Sequence, residues 1–200
     1  MCCRIGLKCV LSPYQQLYFV GVDYWSKFCP GGVFHIFNRG VGGSKLFMEE
    51  KNYHFFLSKW KKYLDPYMDL FCYCLMPDHF HFLVRCKNLE TVWHNAEEDQ
   101  VMIASDLLQA KSDYSTFLSM QFKRLFTSYS RSFNRMYART GSLFEAKFKR
   151  VLIQSDERLL YTLFYIHSNP VKHNYVNRIQ DWRFSSFHAY LNQDDSIAYE

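Results

Sequence analysis

Leu70-Phe71-Cys72-Tyr73-Cys74-Leu75-Met76-Pro77-Asp78-His79-Phe80-His81-Phe82-Leu83-Val84-Arg85-Cys86 holds two apolar runs on either side of a Pro-Asp step. Each run is too short for a typical helix and Pro77-Asp78 is turn chemistry, so the stretch reads as an antiparallel hairpin. In its second strand a period of two sends His79 and His81 to one face and Phe80, Phe82 and Val84 to the other. Two imidazoles on one face can share a metal ion, but the same pattern also suits surface or hydrogen-bonded core histidines. A third group has to decide.

Outward from the hairpin the pattern alternates. Pro30-Gly31-Gly32 breaks the chain before a strand at Val33 to Asn38, and the turn-rich stretch Arg39 to Ser44 follows. Tyr53, Phe56, Leu57, Trp60, Tyr63 and Leu64 recur at helical spacing. Beyond the hairpin, Phe122, Leu125, Phe126, Tyr129, Phe133 and Tyr137 predict a long helix over about Thr116 to Ala138, with Gly141 placed to stop it, and Phe148 to Ile153 reads as a fourth strand. Strand, helix, strand, strand, helix, strand is the order of an α+β, ferredoxin-like split βαβ sandwich, with helices on one face of an antiparallel sheet. A further helix starts near Ser155 and should stop at Asn169, before Pro170. The expected divisions are an N-terminal extension at 1–32, one domain at 33–191 with an acidic insert at 88–114, and a tail at 192–200. The insert carries six acids against Lys111 and shows little sustained pattern.

Composition agrees with one packed domain. Of 200 residues, 48% are hydrophobic, with 5 Pro and 8 Gly, which excludes disordered and collagen-like chains. Seven cysteines, an odd number without a C-x-x-C pair, indicate neither a disulfide framework nor a zinc knuckle and predict a reduced, cytoplasmic protein. No apolar run suits a leader or a membrane span. The net charge of +5 is unevenly spread: Ser115 to Arg150 holds eight bases against Glu145. Arg131, Arg135 and Arg139 repeat every fourth residue, and with Lys149 and Arg150 they are candidate phosphate contacts, or else a solvated helix face.

The third group sought by the His pair lies in the last helix. Leu159, Leu160, Leu163, Phe164 and Ile166 form one apolar arc there, while Tyr165 and Asn169, four residues apart, share a face outside it. A phenol beside an amide can supply a nucleophile and an oxygen ligand, or be an amphipathic surface Tyr and a helix stop. A metal held by two imidazoles and an amide would polarise a phosphate for attack by tyrosine; Mg²⁺ or Mn²⁺ suits such donors better than structural zinc.

Leu75-Met76-Pro77-Asp78-His79-Phe80-His81-Phe82-Leu83 resembles the HUH motif of single-tyrosine transposases. Tyr165-Ile166-His167-Ser168-Asn169-Pro170-Val171-Lys172 and Trp182-Arg183-Phe184-Ser185-Ser186-Phe187 resemble the REP-associated tyrosine transposase subgroup, as do Asn38-Arg39-Gly40 and Gly141-Ser142-Leu143-Phe144. The resemblance spans about Val33 to Leu191. It implies a DNA transposase that cleaves and rejoins single-stranded, hairpin-containing DNA through a 5′-phosphotyrosine intermediate. It further implies Tyr165 as nucleophile and His79, His81 and Asn169 as ligands of a divalent ion, with the protein working as a monomer or homodimer. Tyr161, one turn earlier, is the competing nucleophile, with the wrong spacing to Asn-Pro. His35, His167 and His173 read as structural or supporting. The competing functions are a non-catalytic hairpin-binding protein of the same fold and a metal-dependent hydrolase of a small substrate; the basic segment speaks against the hydrolase.

Overall fold

The computed structural model describes residues 22–98 and 113–192. Strands β1 (Val33–Arg39), β2 (Met68–Met76), β3 (His79–Cys86) and β4 (Lys149–Ile153) form one sheet in the order β2-β3-β1-β4, antiparallel at every step. Helix α1 (Glu50–Tyr63) connects β1 to β2 with β3 lying between them, which is the split βαβ arrangement the element order predicts. Helix α3 (Tyr114–Met136) precedes β4.

The two faces of the sheet have different fates. Phe34, Ile36, Phe80, Phe82 and Val84 are fully buried with Phe56 and Trp60 of α1 and Phe122, Leu125 and Tyr129 of α3. Stacked and edge-on pairs fill this layer: Trp60 lies 4.1 Å from Phe82 and Phe28 5.0 Å from Phe34, centroid to centroid. The opposite face is covered by α4 (Asp156–Lys172), where Ile166 joins Cys72, Cys74 and Leu83 in a second apolar cluster. Burial on both sides explains why β2 and β3 read as continuous apolar runs.

Three boundaries and one helix face differ from the sequence reading. The stretch 88–114 is not a featureless insert at its start: Leu89–Glu98 forms helix α2, whose Val92 and Ala96, four apart, are fully buried. One short apolar stripe among acids is too weak a period to stand out. The remainder of that stretch, 99–112, lies outside the described residues, as do 1–21 and 193–200. The predicted extension is partly built in: Phe28 belongs to the core, and Tyr24 accepts a backbone hydrogen bond from Arg150 at 2.9 Å. Helix α4 runs past Asn169, with Pro170 inside it. Its final turn is held by the His173 N–H, bonded to the Asn169 carbonyl at 3.0 Å, beyond the point where proline lacks a donor. The apolar arc is only partly the buried face of α4. Ile166 is fully buried and Leu159 and Leu163 pack on the sheet, but Leu160 and Phe164 are 67% and 60% exposed, and Thr162 and Asn169 are buried beside Ile166.

Behind β2, which is an edge strand, the motif Trp182 to Phe187 acts as a strap. Leu75 donates its N–H to Phe184, Tyr73 donates its N–H to Ser186 Oγ, and Trp182 Nε1 donates to the Leu75 carbonyl. The strap closes an otherwise open row of backbone groups. His167 of α4 meets Ser186 Oγ at 2.9 Å, tying the helix to the strap. That bond couples the two C-terminal motifs and gives His167 a structural role.

Candidate active site

Strand alternation builds the site. In the β1–β3 register Phe37 pairs with His81 and Arg39 with His79, and in the β1–β4 register Phe37 pairs with Lys149. All these side chains share the face under α4. A pocket of about 300 Å³ opens there, lined among others by Arg39, His79, His81, Lys149, Tyr165, Asn169 and His173. The four residues named for chemistry therefore converge, although they come from two elements some eighty positions apart. The Tyr165 ring centroid lies 5.6 Å from that of His81, and the His79 and His81 centroids are 5.3 Å apart.

Each imidazole is held through Nδ1. His79 Nδ1 is 2.8 Å from Asp78 Oδ1, and His81 Nδ1 is 2.9 Å from His35 Nε2. In both rings that leaves Nε2 as the nitrogen for a ligand when the Nδ1 proton is donated to its partner, the usual outer support of metal-bound histidines. Burial keeps His81 neutral, its pKa well below the usual value, with His35 and His79 adding to the effect. His35 is pushed down to about 3 by burial and by the charge of Arg158. The hydrogen bond from His79 holds Asp78 below the usual carboxylate range. Asn169 donates Nδ2 to the Tyr165 carbonyl at 2.9 Å, so its Oδ1 is the end available to a ligand. No group of three or more His, Cys, Asp or Glu with metal-binding geometry occurs among the described residues. Two imidazoles and one amide oxygen nevertheless fit a divalent ion, with positions left for phosphate oxygens and water.

Cations surround the phenol unevenly. Lys172 Nζ sits 4.3 Å from the centroid of the Tyr165 ring, and its pKa is lowered by burial. Lys149 enters the pocket, its Nζ over the rings of Tyr24 and Phe37 at 5.4 and 5.7 Å. Arg150, one residue on, points to the other face. It packs 4.6 Å over Phe28 and donates Nη1 to Ser119 Oγ at 2.7 Å, so the structure uses it in packing and does not bring it to the pocket. Arg131 and Arg135 are exposed, whereas Arg139 is half-buried and lies 5.9 Å over Phe133; none of the three lines this pocket. Tyr161 stacks beside Tyr165 at 6.4 Å but does not line the pocket; it borders a small cavity next to His35 that Tyr165 also lines.

Arg39, Glu145 and His173 line the pocket without being candidates for its chemistry in the sequence, Arg39 having entered only through its motif and His173 as a structural or supporting residue. Arg39 was readable, being two residues past Phe37 on the same strand. Glu145 reaches the pocket through tertiary structure, pairing with Arg39 at 3.0 Å while its carbonyl accepts from Asn38 Nδ2. His173 lies one turn beyond Asn169, its ring 5.0 Å from His79, on a turn of helix that Pro170 argues against. The glycine of Asn38-Arg39-Gly40 is explained by crowding, since a Cβ there would run into the Ser44 carbonyl oxygen.

No family model matches the chain. A Haemophilus influenzae protein described as a REP-associated tyrosine transposase is 32% identical over 136 residues, 66% of this chain and 67% of that one. The chain belongs to the REP-associated tyrosine transposase family. A solved REP-associated tyrosine transposase, bound to a REP hairpin, superposes with a TM-score of 0.61 over 86% of each chain at 16% identity, which confirms the fold. No described helix is long and apolar enough to cross a membrane.

Proposed function

We propose that this family member cleaves and rejoins single-stranded, hairpin-containing DNA through a covalent 5′-phosphotyrosine. Tyr165 is the nucleophile, and His79, His81 and Asn169 hold Mg²⁺ or Mn²⁺. The observation that carries this reading is the convergence of these four side chains on one pocket whose other walls offer Arg39 and Lys149. The solved relative holds a REP hairpin, which supports hairpin DNA as the substrate class.

The chemistry follows from the donors. Tyr165 loses its phenolic proton and its oxygen attacks phosphorus; the bond from phosphorus to the 3′ oxygen breaks, and that oxygen leaves as a protonated 3′-hydroxyl. Rejoining reverses the step with another 3′-hydroxyl, so the phosphodiester count is conserved and no nucleotide cofactor is consumed. The bound ion supplies Lewis-acid polarisation of the phosphate. Lys172 over the phenol ring favours the anionic oxygen on both passages. Arg39 and Lys149 offset phosphate charge in the pocket, and the Asn169 bond to the Tyr165 carbonyl fixes ligand and nucleophile on one turn of α4.

The test is denaturing electrophoresis after incubation with labelled hairpin oligonucleotides carrying unpaired flanks. The wild type is expected to give a heat-stable, EDTA-sensitive labelled band, retained in Tyr161→Phe and absent in Tyr165→Phe with DNA binding intact. Binding without any adduct in the wild type would instead favour a non-catalytic hairpin binder.

A further inference from the structure

A second groove, of about 400 Å³, opens beside the active-site pocket and shares Glu145 with it. Its walls are Thr127, Ser130 and Arg131 of α3, facing the chain from Gly141 to Ala146, with the Phe126 ring between them. The two sides are tied together: Asn134 donates Nδ2 to the Gly141 carbonyl at 2.9 Å, and Gly141 makes its turn at φ +83°. Glu145 stands where the two hollows meet. Its carboxylate is engaged by Arg39 at 3.0 Å and its N–H bonds the Arg39 carbonyl at 2.9 Å, so the shared wall is charge-balanced rather than repulsive to phosphate.

The groove has the composition that single-stranded nucleic acid needs. Phe126 is half-buried, packed at 4.8 Å against Phe144, and can take one base on its outer edge; the hydroxyls and the exposed guanidinium suit the phosphates. Paired bases are already stacked on their neighbours, so a partly exposed ring favours unpaired ones. Arg131 lines the groove whereas Arg135, one turn further on the same helix and also exposed, does not.

We propose that this groove is the path of the unpaired nucleotides adjoining the scissile phosphate, with Arg131 gripping a backbone phosphate beyond the Arg39–Glu145 pair. The assignment rests on the strand-transferase reading and adds to it the route of the substrate strand. The charge repeat in the sequence treats Arg131, Arg135 and Arg139 alike; the groove separates Arg131 from the other two.

The experiment measures affinity, by fluorescence anisotropy over a salt series, for hairpin oligonucleotides trimmed at the scissile phosphate or extended past it on the 5′ or the 3′ side. The proteins are the full chain, Arg131→Gln and Arg135→Gln. One extension is expected to tighten wild-type binding. Arg131→Gln should remove about tenfold of that gain and reduce the slope of log affinity against log salt by about 0.7. It should leave the trimmed oligonucleotide unaffected, and Arg135→Gln should leave the gain intact. Equal losses in the two variants, or an undiminished gain in Arg131→Gln, would overturn the path. Failure of the wild type to bind any of the oligonucleotides would overturn the strand-transferase reading itself, a separate result.

Discussion

The two faces of one sheet carry the same strands and opposite chemistry. On the α1/α3 side, Phe34, Ile36, Phe80, Phe82 and Val84 form an aromatic-rich core with no water-facing atoms to speak of. On the α4 side, Phe37, Arg39, His79, His81 and Lys149 take the alternate positions of those strands and build a polar pocket, with His35 bonded to His81 behind it. A single register, with a period of two, therefore fixes both stability and reactivity. What differs is the covering. Two helices seal the first face with rings, whereas α4 covers the second with Thr162, Tyr165 and Asn169 among its inward residues.

The contrast can be broken most sharply by exchanging a residue on each side. Phe82→Ala removes a fully buried ring stacked 4.1 Å from Trp60 and should cost about 3–5 kcal/mol in chemical denaturation, lowering activity only through loss of folded protein. His81→Gln should do the reverse, with little change in the denaturation midpoint. Its adduct yield should fall by more than the about 10–100-fold that outer-shell partners of a metal carry. If both variants moved stability and activity together, the division of labour between the faces would be wrong.

A finer cut lies within the α4 face. His35 reaches His81 but not the pocket, so His35→Phe should weaken Mn²⁺ binding by about 10–100-fold in calorimetry, with His35→Asn, which keeps an acceptor, in between. An unchanged Mn²⁺ affinity in His35→Phe would reduce His35 to packing.

Acid should expose the same asymmetry. His35 and His167 are held neutral by burial, their pKa values pushed down to about 3 and about 4. Between those values and the ordinary 6.5 the unfolded chain binds more protons than the folded one, so stability is full above pH 6.5 and falls on acidification. Each group contributes up to about 2 kcal/mol of loss between pH 6.5 and 5. His167→Gln should flatten that part of the stability–pH curve, and an unchanged slope would contradict its neutral burial against Ser186. The smallest effect is expected from Lys149 and Arg150, neighbours on opposite faces. Lys149→Gln should weaken DNA binding about twofold to tenfold with stability unchanged, and Arg150→Gln should lower stability by about 1 kcal/mol with little change in binding.

Much of this was legible from residues alone. Alternation at His79-Phe80-His81 and the order of elements are local signals, and the structure bears out both the hairpin and the split βαβ sheet. Tyr165 and Asn169 share a helical face by spacing alone. The direction of that face was not legible: Leu160 and Phe164 look like core by hydropathy yet are exposed, while Tyr165 and Asn169 turn to the sheet beside Ile166, where the imidazoles stand. Glu145 and the separation of Arg131 from Arg135 depend on loops brought together from distant sequence, and no periodicity encodes them. Val92 and Ala96 form a stripe too short to rise above the acids around it.

The central claim is that residues of β3 and α4 form one metal-dependent site, and a crystal structure with Mn²⁺ tests it most directly. An anomalous peak within bonding distance of His79 Nε2, His81 Nε2 and Asn169 Oδ1, with the Tyr165 hydroxyl facing the ion's open side, is the predicted result. A peak elsewhere, or Mn²⁺ bound by the two histidines with Tyr165 and Asn169 turned away, would contradict it.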